Sequence, residues 1–231
     1  MERTDISDTI VLCDRPGIPD LIKFLADSDF YTAPCSTKFH LACPGGLAQH
    51  TLNVMNCAAE LNKRYEYKFS ATSVAIAALG HDLCKVNFYK EVHEDPTDPQ
   101  LRYLTSLFVK AGVQIPKKLN KAYAGVLIDF MLNTYKKSTE CVTLPPFQHN
   151  YVVADETPLG HGEKSLYIMQ QFIKLTLDEA LAIRWHMASF DAGIHFPYPS
   201  GYAYNEAIKK SKLVSIIILA DIEASNLMEV C

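Results

Sequence analysis

Apolar residues recur at three- and four-residue intervals over most of the chain, the spacing of helices that bury one face. Ile18, Leu21, Ile22, Phe24 and Leu25 keep that interval, and Pro19 suits a first helical turn. A stretch rich in Pro, Ser, Thr and Gly from 31 to 46 then reads as a loop ending Pro44-Gly45-Gly46. From 47 to about 65 the helical pattern returns, with Leu47, Val54, Ala58 and Leu61 on one broad face. Ser70, Thr72 or Ser73 can cap the next helix, which carries Val74, Ile76, Ala77, Ala78 and Leu79 and runs into His81-Asp82. Apolar nearly all round, that helix belongs at the centre of a fold.

The pattern loosens between about 86 and 155, where Pro96 and Pro99 interrupt any helix. Helices are expected over about 100–111 and 116–135, the second opened by Pro116, and a short strand over 147–153. Two further helices follow over 160–173 and 177–187, with Thr176, Asp178 and Glu179 placed for an N-terminus. One long helix is expected from 204 to about 228. The chain therefore reads as a single all-α domain, 1–231, in which 87–155 is an insertion or lid containing a short β element.

With 231 residues, 48% of them hydrophobic and 21% charged, the chain can bury a full core, which excludes a disordered or fibrous protein. The net charge of -4 supplies no global field for a long polyanion. Seven scattered cysteines without a C-x-x-C pair argue against a disulfide framework and for a reducing compartment. The first residues lack the apolar core of a signal peptide, and the longest apolar run, around 214–222, is too short to span a bilayer. A cytoplasmic protein with no membrane partner is expected. Nothing in the pattern sets an oligomeric state.

Chemistry-bearing residues interrupt the apolar helices. His81-Asp82 closes the most apolar of them, His50 lies mid-helix among apolar neighbours, and Asp221 is surrounded by Ile216, Ile217, Ile218, Leu219, Ala220 and Ile222. Leaving a buried ion without its partner costs about 3–5 kcal/mol, so such carboxylates need a cation or hydrogen-bond donors. Singly, each residue suits a hydrogen-bonded core group. Together, on three helices, they point to a metal, and mixed nitrogen and oxygen ligation suits Mn, Fe, Co, Ni or Zn.

The order His50, His81-Asp82, Asp221 resembles the HD superfamily of metal-dependent phosphohydrolases. Pro44-Gly45-Gly46-Leu47 leads into the first His, and Ala77-Ala78-Leu79-Gly80-His81-Asp82-Leu83-Cys84-Lys85 is the most specific stretch. Cys84 stands where that family usually has Gly. The likeness covers roughly 43–83 and 160–227 and leaves 87–155 unassigned. It implies an HD-type helical bundle with one or two divalent ions. His161 and His186 fall where two-metal members place further histidines, with Asp82 then bridging the ions, although His186 equally suits a helix C-cap.

Other residues carry weaker expectations. Lys85 is placed for phosphate contact by its position after the ligand pair, or is a solvated helix-end lysine. Lys164 and Arg184 reach phosphate, or pair with Glu163 or Asp191. Glu163, beside His161, is a candidate acid or base. Phe88 and Tyr89 form a base-stacking wall or plain core. His40, His93, His149 and His195 are expected in loops. The resemblance implies hydrolysis of a phosphoester or phosphoanhydride in a small nucleotide, with a short single-stranded oligonucleotide as a second substrate class. The alternatives are a di-iron oxygenase of the same ligand arrangement and a non-catalytic nucleotide-binding module.

Overall fold

A computed structural model describes residues 4–66, 69–135, 143–191 and 200–229. It is built from helices, with one two-stranded sheet among the described residues. The chain divides into two compact units, Met1–Tyr89 with Val153–Cys231, and Lys90–Val152.

In the first unit, α1 (Thr4–Val11) buries Ile6 and Ile10, one helical turn apart. The polar residues around that pair hide this helix from a reading of the sequence. Helix α2 (Ile18–Asp27) buries Ile18, Leu21 and Leu25. Helix α3 (Gly46–Arg64) follows the loop, and its entry explains Pro44-Gly45-Gly46. Gly45 lies in the left-handed region at φ 80°, where a side chain is strained. A Cβ on Gly46 would lie 2.1 Å from the Leu41 carbonyl oxygen and 2.9 Å from the Cys35 nitrogen.

Helix α4 (Ala71–Gly80) is capped by Ser70, whose side chain accepts from the Ser73 amide at 3.1 Å. Seven of its residues are buried, from Val74 to Gly80, as its all-round apolar sequence requires. It packs on α3 and on α8 (Leu177–Trp185). Thr176 and Glu179 form a capping box on α8, and Arg15 grips the buried Glu179 carboxylate with two hydrogen bonds at 2.6 and 2.9 Å. Helix α7 (His161–Gln170) lies against α8 as well.

The expected helix over 204–228 is broken. Ser211 adopts an extended backbone (φ -135°, ψ 120°) between α9 (Ser200–Lys210) and α10 (Lys212–Glu223), and a π-turn, Ala224–Met228, follows α10. The break lets α10 turn Leu213, Ile216, Ile217 and Ala220 into the core between α3 and α8. No Gly or Pro marks it in the sequence.

The second unit has its own apolar cluster of Leu104, Phe108, Tyr123, Ala124, Leu127 and Met131. These come from α5 (Asp98–Ala111), opened by a Thr97–Gln100 capping box, and α6 (Lys121–Asn133). Helix α6 starts at the Asn120 cap and not at Pro116, because the Asn120 side chain accepts from the Tyr123 amide at 2.7 Å. The strand expected over 147–153 is shorter, Tyr151–Val153 (β2), paired with Tyr89–Glu91 (β1).

Close approach of α7 and α8 depends on Gly162. A Cβ there would meet the Arg184 carbonyl oxygen at 2.1 Å, so one helix must shift. Gly162→Ala is expected to lose about 1–3 kcal/mol despite alanine's better helix propensity, measured by urea denaturation.

Candidate metal centre

Four helices and the turn after α4 deliver their polar residues to one place. His81 caps α4, and Asp82 begins a 3-10 turn, Leu83–Lys85. Ser165 on α7 fixes that turn: its hydroxyl donates to the His81 carbonyl at 2.7 Å and accepts from the Cys84 amide at 3.0 Å. Cys84 is not among the residues of positive φ, so the turn does not need glycine there.

Asp82 is the hub, 3% exposed. Its Oδ2 lies 3.5 Å from His50 Nε2, 3.5 Å from His81 Nε2 and 2.6 Å from Lys85 Nζ. Its Oδ1 lies 2.7 Å from His161 Nε2 and 3.7 Å from His186 Nε2. The two carboxylate oxygens thus face two different pairs of imidazoles. Asp221 from α10 joins the first pair, its Oδ1 3.3 Å from His50 Nε2. Among the described residues, His50, His81 and Asp221 form one group able to hold an ion, and Asp82, His161 and His186 another.

The donor set fits a cation. His81 Nδ1 donates to the Ala78 carbonyl at 2.6 Å and His186 Nδ1 to the Ile183 carbonyl at 2.8 Å. A carbonyl only accepts, so each neutral ring must carry its proton on Nδ1 and present a lone pair at Nε2. His186 Nε2 is buried without a hydrogen-bond partner and faces a carboxylate oxygen. Two acceptors turned toward each other in a dry site repel unless a positive charge lies between them. His186 thus caps the end of α8 through Nδ1, while its Nε2 is left able to take a cation.

Burial alone would make His50 harder to protonate, but bonds to Asp221 and Glu229 outweigh it and push its pKa up to about 9. Burial pulls His81 down to about 4 despite Asp82. His50 can therefore donate from Nε2 to His81 Nε2, 3.2 Å away, its proton serving as the local positive charge. For Asp221, the His50 bond outweighs burial and holds its pKa down to about 2. Burial opposes ionisation of Asp82 as well, but Lys85 and the imidazoles keep it well below the usual carboxylate range. Asp82 in turn holds Lys85 charged against the effect of burial.

Residues 47–141 match the family model of the HD domain. Over that segment the chain is similar to an HD domain. The family consists mostly of metal-dependent hydrolases. No curated protein and no solved structure matches the chain. The matched segment contains His50, His81, Asp82 and Lys85, whereas His161, His186 and Asp221 lie beyond it.

The remaining expected residues fall around this centre in different ways. Lys85 is not a solvated lysine: its side chain is 12% exposed and bound to Asp82. Lys164 is buried, pairs with Asp155 and lies 4.8 Å over the Phe88 ring. Arg184 pairs with both Glu163 and Asp191 and stacks on Trp185. Glu163 is thus turned to Arg184, because residues two apart on a helix point about 200° apart and His161 takes the inward face. Phe88 and Tyr89 meet edge to face at 4.9 Å. His93 is exposed, His149 pairs with Glu91, and His195 lies outside the described residues.

Three residues near the centre escaped the sequence reading. Glu229 accepts from His50 Nδ1 at 3.0 Å and from Asn53 Nδ2 at 2.7 Å, orienting the ring. Cys35 lies 3.9 Å from Asp82 Oδ2, and the His40 ring lies 5.0 Å from that of His50. A loop cysteine and a carboxylate beyond the last regular helix carry no periodic signal.

The titrations set a pH dependence for the metal-free protein. His50 contributes stability that is complete below its unfolded value of 6.5 and is lost as pH rises through about 9. Asp221 contributes stability complete above 3.8 and lost as pH falls through about 2. Urea denaturation of chelator-treated protein should show the alkaline loss in wild type and a flatter profile over that window in His50→Gln.

Proposed function

We propose that this protein is a divalent-metal-dependent phosphohydrolase acting on a nucleotide, or on a short oligonucleotide, at a phosphoester or phosphoanhydride bond. The observation that carries the reading is the split of Asp82, with one oxygen toward His50 and His81 and the other toward His161 and His186. That arrangement supports a bridging carboxylate. In this reading His50, His81 and Asp221 would hold one ion of Mn, Fe, Co, Ni or Zn, and His161 and His186 would hold a second, with Asp82 available to both. When bound, such ions supply Lewis-acid polarisation of a phosphoryl oxygen and an ionised water at neutral pH.

The chain's own residues do the rest. Glu229 and the Ala78 and Ile183 carbonyls fix the ring orientations of His50, His81 and His186. Lys85 now neutralises Asp82; once that carboxylate's charge is met otherwise, its ammonium is free to meet a phosphate oxygen and the charge that develops there. Lys164 and Arg184 spend their charge on neighbouring carboxylates, which favours Lys85 as the phosphate-facing cation. Glu163 then serves to hold Arg184. The net charge of -4 favours a small nucleotide over a long nucleic acid.

A nucleotide panel assayed with each divalent ion is expected to release phosphate or a nucleoside monophosphate. Asp82→Ala should lose both bound metal and activity, and unchanged metal content in that variant contradicts the ligand assignment. Lys85→Met should retain metal and lose about 10²–10³-fold in kcat. Iron-dependent O2 consumption without phosphate release would instead select the oxygenase alternative.

A further inference from the structure

The loop between α2 and α3 holds two metal-capable groups that the reading above does not use. The Cys35 amide donates to the Leu41 carbonyl at 3.1 Å, closing a tight turn. Inside it, the Ser36 hydroxyl donates to the His40 carbonyl and accepts from the Phe39 amide, both at 2.9 Å. Leu41 is held at φ 47°, a left-handed conformation costly for a residue with a branched side chain. Such strain persists only where the surroundings over-determine it, and it clusters at functional sites.

The turn sets Cys35 Sγ 3.3 Å from His40 Nε2. The sulfur is fully buried yet has polar neighbours, with Lys85 Nζ at 3.4 Å and Asp82 Oδ2 at 3.9 Å. One ligand atom each from Cys35, His40 and His50 lies within 4.8 Å of the others. Around a tetrahedral ion with bonds of about 2.3 Å to sulfur and 2.0–2.1 Å to nitrogen, those two ligands stand about 3.5 Å apart. The observed spacing is near that value.

We infer that Cys35 and His40, with the shared ring of His50, form a thiolate-bearing position for a soft divalent cation such as Zn²⁺ or Cd²⁺. Thiolate ligation selects such ions over Mn²⁺. Binding forms the sulfur–metal bond and releases the thiol proton to solvent. Burial holds the free thiol protonated, the Lys85 ammonium offsetting only part of that effect, so the proton leaves only as the metal bond forms; Lys85 keeps its shorter bond to Asp82. The inference rests on the metal reading above only through His50, which belongs to both groups. A soft ion at Cys35 therefore competes for that ring with an ion held by His81 and Asp221.

The test is titration of the full, metal-free chain with Cd²⁺, followed by bound-metal stoichiometry and the ultraviolet sulfur-to-cadmium charge-transfer band. Wild type should show a band larger by one thiolate than Cys35→Ser, and added Mn²⁺ should reduce that difference by competing for His50. His40→Ala should weaken Cd²⁺ binding at the thiolate by about tenfold or more, the least expected even for loss of a group that only orients a ligand. Asp221→Asn should weaken Mn²⁺ binding and keep the band, which separates this position from the hydrolytic one. An equal band in Cys35→Ser overturns the inference. If that variant does not fold, an unchanged Cd²⁺ affinity in His40→Ala overturns it alone.

Discussion

A carboxylate at 3% exposure, surrounded by four imidazoles and a lysine, is the constraint around which this protein is organised. Asp82 cannot be ionised in a dry interior without compensating positive charge, and it is held strongly ionised here. Without metal, that compensation comes from Lys85, from the charged His50 and from the His161 hydrogen bond. This is an expensive way to fill a core, because hydrophobic residues in the same volume are often as stable or more so. The arrangement makes physical sense as a cation site whose ligands are held in place beforehand.

The fold serves that placement. Helix α4 is buried almost throughout and delivers His81 and Asp82 to the middle of the first unit. Helices α3, α7, α8 and α10 each bring one further side chain, and backbone carbonyls or Glu229 dictate which ring nitrogen is exposed. The geometry is set by secondary structure and close helix packing. Only His40 and Cys35 come from a loop, and there a strained, closed turn takes over the role of a helix.

Much of this was legible in the sequence. The helical periods of α2, α3, α4 and α8 follow from apolar spacing, and the polar residues that violate those periods are the ones that converge. Helix α1 was hidden because two buried isoleucines in a polar segment give too short a signal. The break at Ser211 was hidden because tertiary packing of α10 imposes it without a local breaker. Lys164, Arg184 and Glu163 could be placed near the centre by chain order. Their pairing could not, since it depends on which way each helix face turns. Glu229 caps the short π-turn after α10, where no period exists to be read.

The central claim is that these imidazoles and carboxylates gather around divalent ions. Anomalous X-ray diffraction from crystals grown with Mn²⁺ tests it directly. The account predicts two peaks flanking the Asp82 carboxylate, one bounded by His50, His81 and Asp221 and the other by His161 and His186. A map with no anomalous density at either place, and with His186 Nε2 hydrogen-bonded to protein or water instead, would contradict it.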